Sequence, residues 1–280
     1  MLKLKNVKKQ YKDFELDCSM TIEEGQIIGL VGRNGAGKST TFKIALGLIA
    51  QEGGDAEIFG KPINKITDQD RRRIGASLSE ASFSELFTII DMIRILEQFY
   101  PQFEKSFFLE KCTTFQLPLN KPLKEFSTGM KARLNVLIAL SHQADLLILD
   151  EPTAGLDVVA RGEVLGLLQD YLEEVPTRSI LISSHISTDL EQVCDRLYFI
   201  DKGKIILNED TDVLMDEYGL LKLTEDQYSK VEKAYIEKVL PVSFGYHCLT
   251  NQRQFYQENY PDIVIEKTTI DEIVLMIGGE

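Results

Sequence analysis

The chain has 280 residues, 44% of them hydrophobic and 27% charged, and a formal net charge of −13. That size and apolar content suit one sizeable domain plus a small one, while the acidic balance argues against a nucleic-acid groove, which needs a basic stripe. The opening MLKLKNVKKQYKDF lacks the apolar stretch of a secretory signal, and no run approaches the ~18 apolar residues of a membrane span, so a soluble protein is expected.

Residues 2–7 alternate apolar and charged side chains, as an edge strand does. Residues 14–22 read as a second strand, followed by the turn Glu23-Glu24-Gly25-Gln26, and Ile27–Val31 reads as a buried parallel strand. This strand runs into GRNGAGKST, residues 32–40, of the form G-x-x-x-x-G-K-S/T. Gly32, Gly35 and Gly37 permit left-handed and crowded backbone that a Cβ would forbid. The N–H groups of the loop, through Asn34 and Ala36 to Thr40, can then converge on the phosphates of a nucleotide such as ATP. Lys38-Ser39-Thr40 opens a helix predicted to continue to residue 49, with its positive dipole end toward those phosphates. Lys38 is placed to bridge the β- and γ-phosphates, and the Ser39 hydroxyl to ligate Mg²⁺.

Further along, residues 56–60 read as a short strand, and RRRIGAS, residues 71–77, ends in another. Residues 83–140 read as helical, with Ile89, Ile93, Leu96 and Phe99 at helical spacing and Pro101, Pro118 and Pro122 as punctuation. Residues 146–149 are a continuous apolar run, the mark of a strand buried on both faces. It ends in Asp150, placed to support Mg²⁺ largely through water, and Glu151, the natural group to polarise an attacking water. A helix over 159–173, a strand over Ser179–Ser183, a helix over 187–194 and a hairpin over 198–207 complete the alternation. It implies a mainly parallel α/β sheet with an N-terminal antiparallel part and a helical insert. Composition shifts after about residue 212, and the tail, with helical and strand-like runs at 228–239, 263–265 and Ile270–Ile277, is expected to form a small α/β domain (213–280) without recognisable chemistry. Cys18, Cys112, Cys194 and Cys248 have no metal-type spacing and suit buried, reduced thiols of a cytosolic protein. His142 and His247 are expected to pack or face solvent.

At this point the chain resembles the nucleotide-binding subunits of ABC transporters, over roughly residues 2–212. FSTGMKARL, residues 126–134, resembles the signature segment, PTAGLD supplies the D-loop through Asp157, and SSH supplies a switch histidine, His185. The resemblance implies a P-loop ATPase fold and a composite site. Two such subunits, identical or related, pair head to tail, and Ser127 and Gly129 contact the γ-phosphate of the partner's ATP. It also implies that Tyr11 stacks on adenine and that His185 contacts the γ-phosphate. Two departures stand out. Thr128 and Met130 replace the Gly and Gln of the commoner LSGGQ, and similar S-T-G-M forms occur among bacterial exporters of drugs, antimicrobial peptides and related amphiphiles. The segment ASLSEASF has no Q-loop glutamine; Ser79 or Glu80 falls there, and the Glu80 carboxylate is the one able to reach magnesium or its waters. The implied function is the ATPase of an exporter whose permease is a separate polypeptide, with this subunit on the inner face of the membrane. The alternative is a soluble remodelling or scaffold ATPase. A single phosphate loop, the absence of coiled-coil or zinc inserts and the acidic charge speak against it.

Overall fold

In the computed structural model, which describes residues 1–78 and 83–278, the first elements are β1 (Leu2–Gln10), β2 (Glu15–Ile22), β3 (Ile27–Val31), α1 (Lys38–Ala45), β4 (Gly53–Ile58), β5 (Lys61–Pro62), α2 (Asp68–Arg71) and β6 (Ile74–Ser77). The strand β1 is not an edge: it pairs with β2 on one side and β4 on the other. Its alternation breaks at a bulge between Leu4 and Val7, where Asn6 takes φ 48°. The helix α1 stops four residues before its expected end, because Gly47 adopts φ 66° and its N–H turns back onto the Ile44 carbonyl. Phe59 and Gly60, expected in a strand, instead have positive φ and turn β4 into β5.

The helical insert consists of α3 (Ile89–Phe99), α4 (Lys105–Thr114) and α5 (Thr128–Leu140). Thr88 and Asp91 form a capping box at the start of α3. Ile89, Met92, Ile93 and Leu96 are buried, while Phe99, the last residue of the helix, is 61% exposed. Then follow β7 (Leu146–Asp150), α6 (Val158–Glu174), β8 (Ser179–Ser183), α7 (Ser187–Val193), β9 (Arg196–Asp201) and β10 (Lys204–Asp210).

Among the described residues the main sheet has ten strands in the order β5-β4-β1-β2-β10-β9-β3-β8-β7-β6. From β9 to β6 every pairing is parallel, and β1, β2, β4 and β5 form the antiparallel wing. Each residue of β3, β7 and β8 is buried, as expected of strands covered by helices on both faces. Each large aliphatic side chain so placed contributes roughly 1.5–3 kcal/mol of burial free energy. The functional consequence lies in the strand order. With β8 between β3 and β7, three carboxyl ends stand side by side, and ligands of open parallel sheets bind there.

The tail comprises α8 (Thr211–Asp216), β11 (Gly219–Leu223), α9 (Glu225–Lys230), β12 (Ile236–Val242), β13 (Gly245–Thr250), α10 (Arg253–Asn259), β14 (Val264–Lys267) and α11 (Ile270–Ile277). The run 228–239 is thus divided between a helix end and a strand start. Its strands form a separate antiparallel sheet in the order β12-β13-β11-β14. Leu220, Leu249, Ile270 and Ile273 join the apolar cluster that also holds Leu147, Leu149 and Ile182 of the main sheet. A small cluster of its own contains Leu221, Val231, Cys248 and Tyr256.

All four cysteines are buried free thiols. Burial pushes Cys112 up to about 12 and Cys18 and Cys248 to about 11, and raises Cys194 as well, so thiolate chemistry is suppressed. His142 is buried too. Its two ring nitrogens bond the carbonyls of Ile138 and Ile74, and burial lowers its pKa.

Candidate functional site

The loop that follows β3 delivers the first half of the site. Gly37 sits at φ 117°, and a Cβ there would meet Phe14 Cζ at 3.0 Å and Leu16 Cδ1 at 3.1 Å. Only glycine fits this junction between loop and helix. The Lys38 side chain, 7% exposed, folds back over the loop, its Nζ donating to the Gly32 carbonyl at 2.7 Å and the Arg33 carbonyl at 3.4 Å. The next residue, Ser39, donates from its Oγ to Asp150 Oδ2 at 3.0 Å. This bond joins positions 111 residues apart in the chain.

A cavity of about 280 Å³ occupies the junction. Asn34, Gly35, Gly37, Lys38, Ser39 and Thr40 line one side, and Asp150 and Glu151 the other. Gly32 and Asn34 also border a second cavity, with His185, while Ala36 is buried beneath the loop. Backbone amides at the N-terminus of α1, a buried ammonium and two carboxylates therefore converge on one space sized for a polyphosphate.

The second half of the site is held by groups that the sequence pattern did not single out. Ser183, at the end of β8, is fully buried. Its Oγ donates to Asp150 Oδ1 at 2.7 Å and accepts from Glu151 N at 3.1 Å. Glu151 has φ 54°, a left-handed conformation disfavoured for a residue with a Cβ. Its carboxylate oxygen Oε2 accepts from His185 N at 3.0 Å and bonds His185 Nδ1 at 2.5 Å. Next along the chain, Thr153 Oγ1 donates to the buried Asp189 carboxylate at 2.7 Å, tying the loop after β7 to α7. The sequence signal for Ser183 is a hydroxyl at the end of an apolar strand, whereas Asp189 stands among the polar residues Ser187, Thr188, Glu191 and Gln192 and is not set apart by its surroundings.

The remaining expected residues lie outside this convergence. Ser127 caps α5, its hydroxyl accepting from Met130 N at 3.2 Å. Gly129 lies so close to Leu156 that a Cβ would approach Leu156 Cδ2 to 3.2 Å, which packs the start of α5 against the loop before α6. Asp157 caps α6 by accepting from Ala160 N at 2.9 Å. Neither Ser127, Gly129 nor Asp157 lines the 280 Å³ cavity. Tyr11 is 42% exposed, with its ring 6.2 Å from that of Phe14, and Phe14 is the aromatic that lines the cavity. Ser79 and Glu80 fall outside the described residues.

Comparisons with known proteins bear on the family and the fold. A sequence model of the ABC transporter family matches residues 16–154. The ABC transporter ATP-binding protein YtrB of Bacillus subtilis is 33% identical over 226 residues, covering 81% of this chain and 76% of that protein. The lantibiotic transport ATP-binding protein SrtF of Streptococcus pyogenes is 35% identical over 216 residues, covering 76% of this chain and 92% of that one. A solved structure described as the ATP binding subunit of an ABC transporter is similar with a TM-score of 0.69 and 25% identity, covering 76% of this chain and 91% of its own.

Proposed function

This chain belongs to the ABC transporter family, and we propose on that premise that it is the ATP-hydrolysing subunit of a membrane exporter of drugs, peptides or other amphiphiles. The observation that carries the reading is the Ser39–Asp150 hydrogen bond across a cavity shared with Lys38 and Glu151. Residues 1–212 would be the ATPase domain, with its helical subdomain near 83–140, and 213–280 an accessory domain. The relative from Streptococcus pyogenes is named for lantibiotic transport, which favours an amphiphilic peptide as cargo. The net charge of −13 leaves nucleic acid an unsuitable partner.

Each side chain then has a task. Lys38 bridges the terminal phosphates, and the amides of residues 32–40 hold their oxygens. Magnesium fits the donor set: Ser39 and Asp150 present a hydroxyl and a carboxylate, hard oxygen ligands suited to an ion that keeps several waters. Among the described residues no group of three His, Cys, Asp or Glu side chains forms an all-protein cage, which suits an ion held partly by phosphate. When bound it supplies positive charge beside the phosphates. Glu151 accepts a proton from the attacking water, and His185, hydrogen-bonded to Glu151, contacts the γ-phosphate. Glu80 stands as a candidate ligand for magnesium or its waters.

Tyr11 stacks on adenine beside Phe14. Ser127 and Gly129 reach the ATP of a second subunit in a head-to-tail pair, and Asp157 faces that interface. Contacts that depend on the γ-phosphate close the pair, and hydrolysis releases them. Among the described residues no helix is long and apolar enough to cross a membrane. A separate permease would therefore dock, and a groove of about 590 Å³ between α2, β6 and the helical insert, lined by Arg71, Arg72, Phe99 and Tyr100, suits one of its helices.

The test is purification of tagged Glu151→Gln in mild detergent from the native membrane with ATP present. The expected product is an ATP-loaded dimer without turnover, bound to an integral membrane protein. Normal turnover would refute the assigned base, and a dimer recovered without any membrane partner would refute the exporter reading.

A further inference from the structure

The tail, which carries no motif, ends beside the nucleotide site. Ile270, Ile273 and Met276 of α11 are buried in the principal core, and the helix packs along α7, which begins two residues after His185. A capping box of Thr269 and Glu272 starts α11. Two hydrogen bonds then pin it to α7: Ser187 Oγ donates to Asp271 Oδ2 at 2.8 Å, and Ile270 N donates to Glu191 Oε1 at 3.3 Å. Asp271 and Val274 thereby line, with Gly32, Arg33, Asn34 and His185, a cavity of about 310 Å³ beside the phosphate loop.

The opposite side of α7 is tied to the reaction centre. Asp189 accepts from Thr153, and His185 bonds Glu151 through both its backbone and its ring. Only Ile186 separates His185 from Ser187, and its N–H is bonded to Ser184 Oγ at 3.0 Å. A displacement of the first turn of α7 therefore passes directly to the imidazole. Small displacements of a reacting or orienting group are costly to rate.

We propose that Asp271 is a positioning residue for ATP hydrolysis: by holding the Ser187 hydroxyl, it fixes where His185 stands relative to Glu151 and the phosphate loop. The tail is thus a brace on the switch segment. This rests on the reading of Glu151 and His185 given above, and it extends that reading to a region without sequence signal.

The test is steady-state ATPase kinetics of the full chain with Asp271→Ala, Asp271→Asn, Ser187→Ala and the Asp271→Ala/Ser187→Ala pair. A single partly exposed hydrogen bond sets the scale, so Asp271→Ala should lower kcat about three- to tenfold with KM for ATP within about twofold. Asp271→Asn keeps an oxygen that accepts from Ser187 and should restore most of the rate. The double variant should be no slower than the slower single one, since both remove the same bond. Asp271 is exposed, so the fold should survive, and an unchanged far-ultraviolet circular dichroism spectrum checks this. An unchanged kcat in Asp271→Ala, a loss confined to KM, no rescue by Asn, or an additive double variant would each overturn the proposal. His185→Ala, run in parallel, separates the two levels. If it loses turnover while Asp271→Ala does not, only the brace fails; if it retains turnover, the underlying reading of the site fails.

Discussion

Replacing Ser183 with alanine tests whether one hydroxyl clips the two acidic residues into place. The side chain is fully buried, and Asp150 beside it is only 4% exposed. Its Oγ makes a 2.7 Å bond to the Asp150 carboxylate and receives the Glu151 N–H at 3.1 Å. A hydrogen bond to a charged group is worth about 1.5–3 kcal/mol, and an amide left without its acceptor adds about 1 kcal/mol. Removing one oxygen leaves too little space to offset this with water. Ser183→Ala should therefore lose about 2.5–4 kcal/mol of stability, and turnover should fall because Asp150 loses a tether beside Ser39 and the Glu151 backbone loses the acceptor that holds its bend. The chain has no tryptophan, so urea unfolding is best followed by far-ultraviolet circular dichroism, alongside a phosphate-release assay. A loss below about 0.5 kcal/mol with wild-type turnover would refute the clip, because a buried charge-assisted bond cannot vanish so cheaply.

Two further outcomes follow from local geometry. Glu151 has φ 54°, where glycine is unstrained and alanine is not, so Glu151→Gly should be more stable than Glu151→Ala by about 1 kcal/mol, with both inactive; the reverse order in denaturant titrations would contradict the left-handed backbone. Lys61, followed by the backbone and then the hydroxyl of Thr67, holds the Asp70 carboxyl well below the usual carboxylate range. Because the folded value is the depressed one, the stability Asp70 adds is complete above about pH 4 and is lost as pH falls through the folded value. Urea midpoints of wild type and Asp70→Asn should thus differ at about pH 6 and converge on acidification below about pH 4; a gap that widens instead would refute the assignment.

The glycine-bearing loop and the acidic end of β7 were legible because each encodes its chemistry in consecutive residues. Their meeting was not local information: it depends on β8 lying between β3 and β7, an order that no stretch of the chain specifies. Strands buried on both faces were equally readable, since their apolar runs have no polar interruption. The misplaced details are those decided by single backbone angles or by neighbours. Gly47 stops α1 early, Phe59 turns rather than extends, and β1 gains a second neighbour from β4, whose first residue, Gly53, pairs with Lys8. Nothing in the tail announces that Asp271 will stand beside the phosphate loop. An acidic residue in the first turn of an amphipathic helix reads as a solvated one, and only the packing of α11 on α7 gives Asp271 a partner.

The conformation of Glu151 carries the wider argument. A non-glycine residue in the left-handed region costs about 1–3 kcal/mol, and a chain selected for stability alone would place glycine there. Here the position keeps a carboxylate and is held by its neighbours: Ser183 takes its N–H, and His185 binds its side chain twice. The bend aims the Glu151 carboxylate away from the line of β7 and toward the switch segment, while Asp150, still on the strand, stays with Ser39. Two adjacent acids are thereby given different surroundings and different partners. One backbone angle thus separates the carboxylate proposed to support the cation from the one proposed to polarise the water, and the proposed division of labour would draw on the strain at residue 151.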